Sequence, residues 1–195
     1  ATNRANRMLL LALRTLLRAG LTSGGIMSLS DVLAQLIDVG FRKTEAYSYD
    51  LGRTAKYFCL GLTADGPFWE TAFGLMERLF GTTEGPGGKI RWRVLAGKTF
   101  VTQLICNPVF LVLLISYTTV LDGPRTLQNV MDSLRMKLWP YLRDGFVWWT
   151  FCNALNYRLV PPSRRLLASG IAGLCWSTYF SFKTCVLDRE MQQQT

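Results

Sequence analysis

Residues Asp144–Arg165 read DGFVWWTFCNALNYRLVPPSRR. From Gly145 to Tyr157 this stretch runs thirteen residues without a charge. That is too short to cross a bilayer, which takes about 20 residues of helix. Directly after Arg165, Leu166–Phe182 adds seventeen more uncharged residues. Between the two lies Val160-Pro161-Pro162. Proline cannot continue a helix and pushes the residue before it toward extended geometry, so this segment is a turn joining two apolar helical runs. Such a pairing places the chain within or against a membrane.

Working outward, Leu166–Phe182 with its flanks predicts the last of four spans. Ala168, Ser169, Ala172 and Gly173 offer small-residue packing, and Trp176 and Tyr179 form an aromatic interface belt. On the other side, Arg125–Leu138 alternates Leu127, Val130, Met131 and Leu134 with Asn129, Asp132, Arg135 and Lys137, the pattern of an interfacial helix leading through Trp139-Pro140 into the opening stretch. Thr99–Leu121 is the clearest span, twenty-three residues without a charge, with Gln103, Asn107 and Pro108 inside it. Arg53–Phe80 reads as a further span, interrupted by Asp65, Gly66-Pro67 and Glu70. The glycine-rich turn at 81–89 lacks the spacing of a phosphate-binding loop. Ala19–Val39 is the first span; Gly20 and Gly24 share a face that permits close helix contact, and Asp31 and Gln35 share another.

Residues 1–18 carry Arg4, Arg7, Arg14 and Arg18 opposite a leucine face, and no acid occurs before Asp31. This resembles a mitochondrial presequence or an interfacial helix, with Arg14, Arg18, Arg164 and Arg165 meeting lipid headgroups. The expected organisation is an amphipathic helix at 1–18, a single four-helix transmembrane domain at 19–187 and a polar tail at 188–195. The fold class is all-α: an integral membrane bundle of four transmembrane helices with proline kinks, plus the N-terminal amphipathic helix and the interfacial helix before the fourth span.

Composition agrees. Hydrophobic residues make up 49% and charged residues 18% of 195, fewer charges than the roughly 25% of soluble domains. The +9 net charge is scattered through hinges and helix ends, so nucleic acid is not the expected partner. With four spans the basic residues divide eleven to eleven between the two sides, and charge does not orient the chain. The absence of histidine removes Ser-His-Asp and Cys-His catalysis and most zinc sites. The five cysteines all lie in apolar runs and read as small buried hydrophobes.

Trp149, Asn156, Val160, Pro161 and Arg165, followed by Trp176, Tyr179 and Ser181, fall on the spacing W-P-x-x-Q-x-x-N-F-x-x-V-P-x-x-x-R and W-x-x-Y-x-S. Asp31 and Gln35 match G-D-x-x-x-Q, Gly66 and Pro67 match a G-P block, and Lys98, Gln103 and Pro108 match K-x-x-x-D-Q-x-x-x-x-P. In these four blocks, in order, the chain resembles the Mpv-seventeen / twenty-two-kDa peroxisomal membrane protein family. The resemblance implies four spans in a mitochondrial inner, peroxisomal or plastid membrane and a pore-like role for small solutes without enzymatic chemistry. Several polar positions depart from the pattern: Ser30, Glu70, Thr102, Asp144, Thr150 and Asn153 replace the family's residues, while Gly66, Pro67, Pro108, Pro161 and the tryptophans remain. That is the expectation for a retained fold whose solute-handling role has drifted.

The leading functional expectation is therefore a non-catalytic accessory subunit of a large mitochondrial inner-membrane complex, a respiratory complex or the ATP synthase. Its partners would be membrane lipid and other membrane subunits. The alternative is a small-solute channel lined by Asp31, Gln35, Asp65, Glu70, Gln103, Asn107, Asn153 and Asn156, residues that could equally tie helices together. No catalytic residue, metal or cofactor is expected beyond a bound phospholipid such as cardiolipin.

Overall fold

The computed structural model describes residues 2–42 and 49–176. Tyr179, the polar tail at 188–195 and the last six residues of the last predicted span, 177–182, lie outside the described residues. Among the described residues there is no β-strand; a single bridge pairs Glu84 with Ile90 in the 81–91 turn.

Helix α1 is Thr2–Arg42. Helix α2 is continuous through Leu51–Leu60, a π-helical turn Gly61–Asp65, and Gly66–Phe80. Helix α3 repeats this plan with Trp92–Val101, a π-helical turn Thr102–Cys106, and Asn107–Asp122. Helix α4 is Leu127–Leu159, and α5 covers 165–176.

Both π-helical turns end two residues before a proline, Pro67 and Pro108. A proline ring crowds the carbonyl one turn back and leaves it without a donor. Widening the turn relieves the crowding, and the Gly66 and Asn107 amides instead reach back five residues to the Gly61 and Thr102 carbonyls. Helix α4 tolerates Pro140 without a break. Pro140 and Met136 are exposed, so the Met136 carbonyl it deprives faces out of the bundle. The interfacial helix expected at 125–138 and the opening stretch are thus one rod. Likewise nothing separates residues 1–18 from the first predicted span; α1 runs through both.

The helices form two antiparallel hairpins, α1 with α2 and α3 with α4. In the first, small residues let the backbones touch. A Cβ at Gly66 would collide with Ala19, one at Gly61 with Gly24, and one at Gly20 with the Leu62 carbonyl. The π-helical turn aids this by stacking Gly66 directly over Gly61. A buried cluster of Phe73, Met76, Leu95 and Tyr157 joins the hairpins where α2 ends, α3 begins and α4 ends.

The distribution of polarity is inverted relative to a protein in water. Lys98 is 0% exposed, whereas Phe100, two residues on, is 66% exposed. Leu9, Leu17, Leu36, Ile105, Val147 and Phe151 are also exposed. Buried charge with apolar residues outside is the arrangement a bilayer stabilises. Among the described residues, two helices are long and apolar enough to cross one, Leu9–Ile37 and Trp92–Leu121. Helices α2 and α4 are long but carry more charge.

Candidate functional site

The densest polar constellation lies inside the buried cluster. Glu77 of α2 pairs with Lys98 of α3 and with Arg165 at the start of α5. Lys98 and Arg165 are almost fully buried, while the Glu77 side chain is about one-fifth exposed. Both cations also face the ring of Tyr157 from α4, the Lys98 Nζ 5.5 Å and the Arg165 Cζ 5.1 Å from its centroid. Desolvated cation–π contacts contribute up to about 2 kcal/mol each. The Tyr157 hydroxyl lies 2.6 Å from Thr102 Oγ1, and its carbonyl accepts from Thr83 Oγ1 at 2.9 Å. Arg165 Nε donates to the Val160 carbonyl at 3.2 Å. Four helices thus meet at one acid, two cations and one phenol, a group with a net single positive charge.

Local structure places these groups. The Thr102–Cys106 π-helical turn begins at Thr102, which faces Tyr157. Val160 is extended at the end of α4, and Pro161 follows, reversing the chain so that Arg165 returns beneath Tyr157. Asn156 Nδ2 fastens this return to the Arg165 carbonyl at 3.1 Å and to Ser169 Oγ at 2.7 Å.

A second constellation holds the far end of the α1–α2 hairpin. Asp31 accepts from Arg53 Nε at 2.6 Å, from Thr54 Oγ1 at 2.6 Å and from Gln35 Nε2 at 2.8 Å. Gln35 also spans to the chain before α2, donating to the Asp50 carbonyl and accepting from the Asp50 amide at 2.9 Å. Asp31 and Gln35 are both buried. Midway along the same hairpin, Ser23 donates to Asp65 beside the touching glycines.

Among the eight predicted polar residues, the hydrogen bonds of Asp31 and Gln35, of Asp65, of Gln103 and Asn107, and of Asn156 are separate local ties. Asp31 with Gln35, and Asp65, are spent on the first hairpin. Gln103 and Asn107 pair one turn apart on α3 at 3.3 Å, both buried. Asn153 is buried on α4, Asn156 serves the α4–α5 return, and Glu70 is partly exposed on α2. Arg14, Arg18 and Arg164 are exposed, as headgroup contacts require. Arg165 is not: assigned to the headgroups from sequence, it is 3% exposed and paired with Glu77. The reason is the proline return, which directs it inward. Trp148 stacks on Trp176 at 6.3 Å, while Trp149 lies against Gly145 and Gly173.

Glu77, Tyr157 and Thr102 were not singled out as site residues, nor was Lys98 beyond its motif. The available signal was an acid and a lysine in otherwise apolar helices, which demand partners. Among the described residues, no three His, Cys, Asp or Glu stand together as a metal site. Cys59, Cys106, Cys152 and Cys175 are free thiols. What the arrangement can do is bind helices to one another.

Comparison with known proteins supplies an independent line. A family model described as Mpv17 / PMP22 matches residues 119–181. Protein SYM1 of Mycosarcoma maydis is 27% identical over 168 residues, 86% of this chain and 78% of the relative. PXMP2/4 family protein 2 of Dictyostelium discoideum is 24% identical over 183 residues, 92% and 89% of the two chains. Peroxisomal membrane protein 2 of Bos taurus is 27% identical over 173 residues, 88% and 84%. No solved structure matches.

Proposed function

The chain belongs to the Mpv17 / PMP22 family, and from that premise we propose that it is a non-catalytic accessory subunit of a large mitochondrial inner-membrane assembly. Its four long helices cross the bilayer, with α4 taking the place of the fourth span expected at 166–182. The observation that carries this reading is the division of labour between interior and surface. The charged interior groups and Asn156 are committed to helix–helix ties, Asp31 to Arg53 and Thr54, Glu77 to Lys98 and Arg165, Asn156 to Ser169, while Gln103 and Asn107 pair within α3. Apolar side chains are left on the outside of α1, α3 and α4. A chain built this way offers surface to lipid and to neighbouring subunits rather than a reaction centre.

The four-span reading is supported by length. Helix α4 has 33 residues, a rise of about 50 Å against a hydrocarbon core of about 30 Å. Its charge-free run, residues 145–157, rises only about 20 Å, so Arg143, Asp144 and Arg158 lie at the margins of the core and reach toward the interfaces. The acid-free, arginine-bearing start of α1 supports the mitochondrial assignment. A relative named for the peroxisomal membrane makes that membrane the alternative.

Native gel electrophoresis of mild-detergent membrane extracts tests the proposal. The tagged chain is expected to co-migrate with one large assembly at constant stoichiometry. Migration as a free homo-oligomer that conducts ions on reconstitution would replace it with the small-solute channel reading.

A further inference from the structure

Between α3 and α4, on the outer side of the buried cluster with which it shares Leu95, lies an open hollow of about 360 Å³. Ala96, Phe100 and Leu104 form one wall and Phe146, Thr150 and Ala154 the other. Each wall continues into an arginine at the same end. On α3, Arg93 precedes Ala96 by three residues and Phe100 by seven, on the same stripe. On α4, Phe146, Thr150, Ala154 and Arg158 follow one another at intervals of four. Because the helices are antiparallel, the start of α3 lies beside the end of α4, which puts the two arginines at the same end of the groove, just beyond its lining. Arg93 is exposed, and Arg158 has only a loose contact with the exposed Glu84 at 3.9 Å.

We infer that this groove is a binding site for an anionic phospholipid, one acyl chain lying between α3 and α4 and the phosphate between Arg93 and Arg158. Shape favours a chain over a helix. One helical turn about 10 Å across and 5.4 Å long encloses about 420 Å³, more than the whole hollow, whereas an acyl chain is thin enough to enter it. Charge favours an anionic headgroup, since nothing acidic lines the groove and both flanking side chains are cations. The surrounding face, with Phe100 and Phe146 exposed, is one that lipid must already reach. The inference needs the membrane location alone and stands apart from the accessory-subunit reading.

The full chain, purified in a non-ionic detergent, is titrated separately with dioleoylphosphatidylglycerol and dioleoylphosphatidylcholine, and bound lipid is counted by native mass spectrometry. The glycerol lipid is expected to bind roughly 30-fold more tightly, the contribution of two basic side chains. The double variant Arg93→Gln/Arg158→Gln should bring it down to the choline lipid. Thr150→Phe, which fills the groove, should weaken both lipids, while Thr150→Ser should not. Equal binding of the two lipids by the unaltered chain would overturn the inference, as would indifference to the arginine substitutions. A photo-crosslinker placed at Ala154 in native membranes that captures a polypeptide instead of lipid would overturn it too, assigning the groove to a partner helix.

Discussion

Replacing Glu77 with glutamine is the sharpest perturbation of the interior. The acid balances two cations, Lys98 and Arg165, both nearly inaccessible to solvent. Glu77→Gln keeps the shape but leaves two buried positive charges facing a neutral amide, the Val160 carbonyl and the Tyr157 ring. Breaking a buried pair by removing one partner costs about 3–5 kcal/mol. The tyrosine contacts survive the change and soften it without cancelling it. Lys98→Met is the control. It leaves Glu77 paired with Arg165, strands no charge, and roughly conserves volume, so it should cost less than about 1.5 kcal/mol. For a chain of this size 1 kcal/mol moves the melting temperature by about 2–4 °C. Tryptophan fluorescence melts in detergent should therefore fall by about 6–20 °C for Glu77→Gln and by no more than about 6 °C for Lys98→Met. A Glu77→Gln protein melting with the parent, or a Lys98→Met protein melting below the Glu77→Gln protein, would refute a charge-balanced tie among the helices.

Gly66→Val should abolish folding, because its Cβ meets the Ala19 backbone, which cannot give way; fluorescence-detected size exclusion should show aggregate in place of a single peak. Asp31→Ala removes one acceptor from the Thr54 hydroxyl and one from the Gln35 amide, which keep their bonds to Tyr49 and the Asp50 carbonyl, and lets the half-exposed Arg53 turn to solvent. A loss of about 1–3 kcal/mol is expected, read as a lower melting temperature, with Asp31→Asn milder. Thr102→Val deprives the buried Tyr157 hydroxyl of its partner, at about 1–3 kcal/mol, whereas Thr118→Val, whose hydroxyl bonds only its own helix, should leave the melt unchanged. Phe100→Lys, on the outward face of α3, puts a charge on a lipid-facing surface at about 2.5–3.5 kcal/mol, read as a lower yield of membrane-inserted protein than the parent's.

Helix boundaries were legible where apolar runs met prolines. The run ending at Leu121, the π-helical disturbance before Gly66-Pro67, and the end of α4 at Val160 all follow from residues read in order. The small-residue face of Gly20 and Gly24 foretold a close contact, though not its partner, because Gly61 and Gly66 share a face only through the π-helical turn. Two continuities were hidden. Residues 1–18 and 19–39 differ in composition yet form one helix, and Pro140 reads as a break until its neighbouring carbonyl is seen to face outward. The ion cluster was the least legible feature. Glu77, Lys98 and Arg165 are separated by 21 and 67 residues along the chain, and only the folded topology brings them onto Tyr157. Arg165 shows how such a residue misleads: beside Arg164 it looks like half of a surface pair, but the proline return sends one outward and the other into the core.

What surrounds the chain in its own membrane tests the proposed role most directly. Assemblies extracted in mild detergent and imaged by electron cryomicroscopy should show this chain once per asymmetric assembly unit. Other polypeptides should be packed against at least one of its outward apolar faces, on α1 or α4, with lipid filling the remainder. Density in which copies of the chain contact only one another and lipid, around an open water-filled path bordered by Asp65 or Glu70, would contradict it.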